Sequence, residues 1–288
     1  MPYLLLVAVV LLNSTSSIFG GYFNRACVDK KESSSFFNFF QMGSIFLCWV
    51  IYYLIDFSFD IRVIPYAIGM AIVFFGAAFG HINAMRTGPV MLSTLFLQLS
   101  LIATTIWGLI FWQTEINAFI IIGIILVVIS LWLCLYNGKK EDDKKITFKW
   151  LVYVFITFVS NASCTIIQRE QQMAFNGQHG NLLMVITTGI AFILFTIKFL
   201  KSDRSDAKFM LTKWYYPVLT GAFNMPMNLG VILLATSSLL PSLIYPVIGV
   251  GALIIVMLFS LFAFKEKLRW WQWIGVAAGA IATALLSI

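Results

Sequence analysis

The sequence predicts an all-α integral membrane protein with ten transmembrane helices, arranged as two inverted repeats of five helices. Three observations carry this prediction: the apolar composition, a series of ten apolar segments, and the distribution of basic residues between those segments. Of the 288 residues, 60% are hydrophobic and 11% are charged, whereas a soluble domain carries roughly a quarter charged residues. No polar stretch is long enough to fold as a separate soluble domain.

Ten apolar segments follow one another along the chain, and most of them are close to 20 residues long. An α-helix of that length crosses roughly 30 Å of hydrocarbon at about 1.5 Å per residue. The segments cover residues 3–23, 36–55, 64–85, 89–112, 116–137, 150–170, 182–200, 214–235, 240–264 and 270–288. The first segment lacks a basic flank at its start, so we expect it to be retained as a helix and not cleaved as a signal peptide.

Basic residues concentrate in alternate connections between the segments. Of the 19 lysines and arginines, 17 fall in the odd-numbered connections or, as Lys198 does, at a segment end beside one, and only Arg62 and Arg169 fall in or beside the even-numbered ones. Because cytoplasmic loops are enriched in Lys and Arg, the odd-numbered loops are predicted to be cytoplasmic and both termini to lie outside. This skew accounts for the net charge of +7 without a nucleic-acid partner. We expect a multi-pass protein of the cell membrane, and the abundance of Phe, Ile and Lys favours a bacterial source.

The two halves of the chain resemble each other weakly at an offset of about 150 residues. Asn13 in LLNSTSS aligns with Asn161 in FVSNASC, and AMRTGPVMLSTL aligns with LLATSSLLPSLI. Because five is an odd number of spans, the second copy enters the membrane from the opposite side, which is the architecture of many secondary transporters. The predicted division is a first repeat over 1–137, a cytoplasmic linker over 138–149 and a second repeat over 150–288.

The end of the second half carries the most specific local pattern. In FAFKEKLRWWQWIGVAAGAIATALL, the turn KEKL is followed by Gln272, Gly275 and an apolar helix. Together with the ten segments and the repeat, this pattern resembles the drug/metabolite transporter superfamily and, within it, the EamA-like ten-helix branch. The first half has QTEI at the corresponding turn, where Thr114 replaces the acidic residue. The resemblance covers nearly the whole chain and implies transport of small organic metabolites or drugs through a central cavity.

Polar residues at the middle of the apolar segments are the first candidates for substrate contacts. Asn13, Ser14 and Ser17 lie in the first segment, and Asn161 lies at the corresponding place in the sixth. In hydrocarbon each such group needs a hydrogen-bonding partner. Two interpretations stay open: these residues join neighbouring helices, or they line a hydrated cavity. Inverted repeats would bring Asn13 and Asn161 together at the midplane.

The eighth and ninth segments each contain a proline beside polar groups. Asn224 and Asn228 have i, i+4 spacing and therefore share a helix face. Pro226 lies between them and predicts a kink that frees a backbone carbonyl. In the ninth segment Tyr245 precedes Pro246. A kinked helix that carries two amides at mid-depth is either a substrate site or a structural kink whose polar groups are satisfied by neighbouring helices.

The third and fourth segments supply the remaining candidates. His81 is the titratable group that we place within the hydrocarbon, where an ionisable residue indicates function by default. It is the candidate for coupling transport to protons, and the alternative is a neutral, hydrogen-bonded imidazole. Gln98 shares a face with Thr105 through seven-residue spacing, and Trp107 lies deeper than the tryptophans at the segment ends.

These features predict a secondary transporter and not an enzyme. All 12 acidic residues fall in loops or at segment ends, so a cation finds no carboxylate at mid-membrane. The expected cargo is a small neutral or zwitterionic metabolite, similar to an amino acid, a nucleoside or a drug, moved by alternating access through a polar midplane cavity. The alternatives are a transporter of organic cations with an aromatic cage and a lipid-linked sugar flippase. Catalytic motifs such as HExxH and GxSxG are absent, and the four cysteines have no metal-ligand spacing, so no cofactor or metal is expected.

The last segment carries a face of small residues formed by Gly275 and Gly279. Such a face lets two helices approach closely. It predicts either a homodimer or packing against a neighbouring helix of the same chain. The other expected partners are the lipid bilayer and the small-molecule substrate.

Overall fold

The computed structural model describes residues 2–27, 30, 32–87, 90–112, 118–135, 147–203, 205–263 and 270–286. Within these ranges the chain forms ten helices of 17 residues or more. The helices are α1 (Pro2–Ala26), α2 (Ser33–Ile55), α3 (Ile64–Thr87), α4 (Val90–Phe111), α5 (Ala118–Leu135), α6 (Phe148–Ala174), α7 (Gly180–Leu200), the short α8 (Ala207–Leu211), α9 (Tyr215–Ala235), α10 (Pro241–Ala263) and α11 (Trp270–Leu286). Each predicted apolar segment corresponds to one long helix.

Six helices in the described part of the chain are long and apolar enough to cross a membrane, by length and composition. They are Pro2–Phe23, Ser33–Ile55, Ile61–Ala84, Phe148–Ala174, Gly180–Leu200 and Tyr215–Ala235. Two further apolar helices, Ala118–Ser130 and Pro241–Val256, are shorter. The protein is therefore all-helical within the described ranges, and its apolar helices suit a membrane location. Most of the predicted linker over 138–149 lies outside the described residues.

The chain folds into two compact units, and each unit is built from both halves of the sequence. From Tyr3 onward, the first unit comprises Tyr3–Phe75 and Ile167–Ser237, and the second comprises Gly76–Ile166 and Ser238–Ile288. The chain passes from one unit to the other within α3 and again within α6. These units do not coincide with the predicted repeats, and the repeat relationship itself stays a prediction.

In the first unit α2 packs against both α7 and α9. Its contact with α9 is close because Gly221 has no side chain: a Cβ there would lie 2.5 Å from the backbone oxygen of Gln41. On the same face the Ser44 hydroxyl donates to the Val218 carbonyl at 2.9 Å. These two contacts fix the position of α2 against α9.

In the second unit α5 packs along α11. The Ser130 hydroxyl donates to the Gly275 carbonyl at 2.6 Å. A Cβ on Gly279 would lie 2.7 Å from Ser130 Oγ and 2.7 Å from Val250 Cγ1. Gly279 thus packs against helices of the same chain, as one of the two predictions for this face expects, and a homodimer through Gly275 and Gly279 stays a prediction.

Candidate functional site

The polar run at the middle of α1 is bonded mainly to its own helix. Ser14, Thr15 and Ser17 each donate to the carbonyl four residues earlier, at 2.6, 2.8 and 2.9 Å. Ser16 behaves differently, because its hydroxyl donates to the backbone oxygen of Thr220 in α9 at 3.0 Å. The hydroxyl that joins two helices is therefore Ser16, which was not among the predicted contacts.

Two contacts fix the register between α1 and α9. Gly230 packs directly against Val9, and Ser16 bonds to Thr220. Because the residue number falls along α9 as it rises along α1, the two helices run antiparallel. The stretch of α1 between Val9 and Ser16 therefore lies beside the stretch of α9 between Thr220 and Gly230.

This register places Asn13, Asn224 and Asn228 at one level, near the middle of both helices. Asn228 Nδ2 donates to the side-chain oxygen of Asn224 at 2.8 Å and to its backbone oxygen at 3.0 Å. All three side chains are half-buried. Among the described residues their side-chain amides make no other hydrogen bond. The Asn13 amide, the Asn224 NH2 group and the Asn228 side-chain oxygen thus remain available, and we call these three residues the amide level.

Pro226 lies inside α9, between the two asparagines. A proline has no N–H group, so it cannot donate to the carbonyl of Ala222 four residues earlier. The Ala222 carbonyl oxygen is therefore left as a backbone acceptor, about half a helical turn from Asn224. Side-chain amides and a backbone carbonyl together form an uncharged set of donors and acceptors at mid-helix.

Aromatic rings adjoin the amide level on the side where α1 ends and α9 begins. Phe19 stacks on Phe223, with ring centroids 5.8 Å apart and an interplanar angle of 9°. Tyr22 stacks on Tyr216 at 5.7 Å and 11°. A stacked pair covers one face of each ring, whereas a cation site needs ring faces that point at the ligand. The arrangement favours packing over an aromatic cage.

Asn161 belongs to the second unit and bonds directly to a neighbouring helix. Its Nδ2 donates to Ser100 Oγ at 2.6 Å, and nearby the hydroxyls of Thr104 and Thr165 lie 2.5 Å apart. These contacts join α6 to α4, so the polar residues of this part of α6 connect helices. Because Asn13 belongs to the first unit, its approach to Asn161 at the midplane stays a prediction.

The other four residues that were predicted to contact substrate also belong to the second unit. His81 Nε2 is buried and has no hydrogen-bond partner within the described structure. Trp107 is 38% exposed and packs on Phe111 with ring centroids 4.2 Å apart. Tyr245 is buried in α10. Gln98 lies in α4, and its side chain is outside the described part of the chain. These residues form no common site within the contacts described here.

Sequence reasoning missed a group of buried amides at the end of α6. Gln168, Gln171 and Gln172 are all buried. Gln171 Nε2 donates to the Gln178 carbonyl at 3.0 Å, and Gln172 donates to the side-chain oxygen of Gln171. The three residues share one helix face through i, i+3 and i, i+4 spacing. That spacing was the available signal, but the predicted segment ends at residue 170, inside the run QREQQ.

No protein-family model matches the chain, and no curated protein matches it. Solved structures do share its fold. One of them, described as "Crystal structure of protein", superimposes with a TM-score of 0.72 at 11% sequence identity, over 99% of this chain and 95% of that chain. At this identity the similarity shows a common fold over almost the whole length and does not extend to function.

Proposed function

We propose that the protein is a secondary transporter of small neutral or zwitterionic organic molecules, similar to amino acids, nucleosides or drugs. The amide level is the observation that carries this proposal. It presents half-buried amides with unused hydrogen-bonding groups at the middle of two helices that are long enough to span a membrane. An amide transferred to an apolar medium without a partner costs about 2–7 kcal/mol. A ligand that pairs with these groups explains why they are kept there.

The charge distribution supports a cargo without net charge. No Asp or Glu lies within α1, α2, α3, α7 or α9, and α6 contributes only Glu170, near its end. A cation at the amide level would therefore lack a counter-ion. An amide offers both donors and an acceptor, so it pairs with the hydroxyls and carbonyls of a neutral molecule or with both ends of a zwitterion.

We propose further that the ten helices form two inverted repeats of five and that alternating access exposes the amide level to each side in turn. The packing of the second unit supports this arrangement. There α4 contacts α10, and α5 contacts α11, which are the pairs that the repeat would relate by a twofold axis. The 17-to-2 skew of basic residues supports a cytoplasmic location for the odd-numbered loops.

A thermal-shift screen followed by flux measurement tests the proposal. The purified full-length protein is heated with L-threonine, L-glutamine, uridine, choline or putrescine, and a ligand at 100 times its Kd stabilises the fold by about 2.7 kcal/mol. We expect a shift with a neutral or zwitterionic compound and saturable uptake of that compound into proteoliposomes. Shifts with choline or putrescine alone contradict the assigned substrate class, and binding without flux contradicts transport.

A further inference from the structure

One face of α2 carries two buried polar side chains that no described group satisfies. Asn38 is 1% exposed and Trp49 is 0% exposed. Both side-chain polar atoms of Asn38 and the indole nitrogen of Trp49 lack a hydrogen-bond partner. With the buried Met42 and Ile45, these residues have the spacing i, i+4, i+7, i+11 and form one stripe along the helix. We call these four residues the inner stripe of α2.

The contacts on either side of the inner stripe show where it points. On one flank Gly43 packs against the ring of Phe192 in α7. On the other flank Ser44 bonds to Val218 in α9. At about 100° per residue around the helix, the inner stripe lies about 130° from each of these two contacts. Its residues are buried, whereas Leu47 on the opposite side of α2 is 61% exposed. The inner stripe therefore faces the interior of the first unit.

The direction of α9 relative to α2 relates the inner stripe to the amide level. Along the contact between α1 and α2, Gly20 packs against Phe37 and the Phe23 ring stacks on Phe36 at 6.0 Å, so the residue number falls along α2 as it rises along α1. Because α1 is antiparallel both to α2 and to α9, the helices α2 and α9 run parallel. Trp49 stands five residues after Ser44, and Asn224 stands three residues after Gly221, which packs on Ser44. Trp49 and the amide level are therefore at similar depth.

The two helices also direct these groups to the same side of their contact. Around α9, Asn224 and Asn228 lie about 50–90° from the direction of α2, which Val218 and Gly221 define. Around α2, the inner stripe lies about 70–130° from the direction of α9, in the opposite rotational sense. When two parallel helices are viewed down their common direction, groups rotated in opposite senses away from the line of contact lie on the same side of that line. The inner stripe and the Asn224–Asn228 pair thus lie on the same side of the contact between α2 and α9.

Asn38 lies below this level. It precedes Ser44 by six residues, or roughly 9 Å along the helix, toward the end at which α1 ends and α2 begins. The basic residues predict that this end is cytoplasmic. Burying an amide without a hydrogen-bonding partner lowers the stability of the folded protein. An apolar residue of similar shape would not have this effect. The unpaired Asn38 amide is therefore a candidate for a hydrogen bond to a bound molecule.

We propose that the inner stripe of α2 is a wall of the substrate route, on which the Trp49 N–H binds a carboxylate or carbonyl oxygen of the substrate at the amide level. Asn38 forms the next hydrogen-bonding position toward the cytoplasm. Its amide both donates and accepts, so it suits a carboxamide, a hydroxyl group or the polar end of a zwitterion. This inference rests on the proposed transport function and deepens it.

Cysteine accessibility tests the route without knowledge of the substrate. Asn38→Cys is made in a full-length variant whose four native cysteines are replaced by alanine, and the protein is reconstituted in liposomes. The probe is the impermeant thiol reagent 2-(trimethylammonium)ethyl methanethiosulfonate, present on both sides of the membrane. Leu47→Cys is the matched control, because Leu47 lies on the outer face of the same helix and is 61% exposed in the structure.

We expect Asn38→Cys to react at least tenfold faster than Leu47→Cys, because the route opens to water whereas residue 47 faces lipid. Equal or slower reaction at position 38 overturns the inference. In parallel, Asn38→Leu is expected to raise the melting temperature by about 2–4 °C, and a lower melting temperature would show that Asn38 serves packing. If the wild-type protein shows no uptake but Asn38→Cys reacts, the proposed function has failed and the route stands. If the wild-type protein shows uptake but Asn38→Cys does not react, transport stands and the route along α2 is overturned.

Discussion

The side-chain amide of Asn228 donates to the side-chain oxygen of Asn224 across Pro226, at a distance of 2.8 Å. This bond orients both amides, because the nitrogen of one and the oxygen of the other are already paired. Each residue keeps one unused polar group: a donor on Asn224 and an acceptor on Asn228. The pair therefore presents an oriented donor and an oriented acceptor at mid-helix, as a site for an uncharged ligand requires.

Replacing Asn224 with alanine is expected to weaken substrate binding about tenfold, because a net hydrogen bond contributes about 1 kcal/mol or somewhat more. The measurement is the ligand concentration that gives half of the maximal thermal shift. Asn83→Ala is the matched control, since the Asn83 amide donates to the Phe79 carbonyl of its own helix at 2.8 Å. Equal losses in the two variants would contradict a specific role for Asn224.

Replacing Ser16 with alanine is expected to lower the free energy of unfolding by about 0.6 kcal/mol, with an upper bound near 1.7. The reason is the loss of its bond to Thr220 in α9. Ser14→Ala serves as the control and should be nearly neutral, because Ser14 bonds to a carbonyl of its own helix. Unfolding in mixed detergent micelles gives both values. A loss of ligand binding in Ser16→Ala at unchanged stability would instead mean that Ser16 contacts the ligand.

Replacing Gly279 with alanine is expected to destabilise the fold by about 1–3 kcal/mol, because the new methyl group would overlap Ser130 and Val250. Gly21→Ala is the control, since a Cβ there has no atom within 4 Å and alanine favours helix. The readouts are the melting temperature and the oligomeric mass in detergent. A change of mass in Gly279→Ala without a fall in melting temperature would mean that this face joins two chains.

Acid is expected to remove the stabilising contribution of Asp60 only at very low pH. Hydrogen bonds from the Arg62 side chain and backbone lower the pKa of Asp60 to about 2, whereas an unfolded chain has a value near 3.9. A carboxyl group with a lowered pKa stabilises the fold above the unfolded value and ceases to do so as the pH falls through the folded value. The melting temperatures of wild type and Asp60→Asn should therefore differ by a constant amount from pH 5 to pH 7.

Below pH 4 that difference should shrink, because the unfolded carboxyl group is protonated first and the folded one follows near pH 2. A difference that grows on acidification would contradict the pairing of Asp60 with Arg62. Both residues precede α3, so the measurement reports on this pair and not on the interior of the long helices.

The positions of the long helices could be predicted from the sequence because an apolar run of about 20 residues specifies a helix by itself. The short α8 was missed, since five residues in a polar loop give no such signal. The pairing of Asn224 with Asn228 follows from their i, i+4 spacing. The place of Asn13 beside them depends on the register of α1 against α9, which a single sequence does not encode. Asn38 was missed because one asparagine among phenylalanines has no periodic pattern.

The division of α3 and α6 between the two compact units has a consequence for biosynthesis. The first unit needs residues as far as Ser237, so at roughly 5–20 residues per second its last part leaves the ribosome roughly 10–50 s after synthesis begins. Until then α1 and α2 lack α7 and α9, against which they pack, and a gene cut at the central linker would encode two fragments, neither of which contains a whole unit. Synthesis of the early helices and assembly of the first unit are therefore separate events in time.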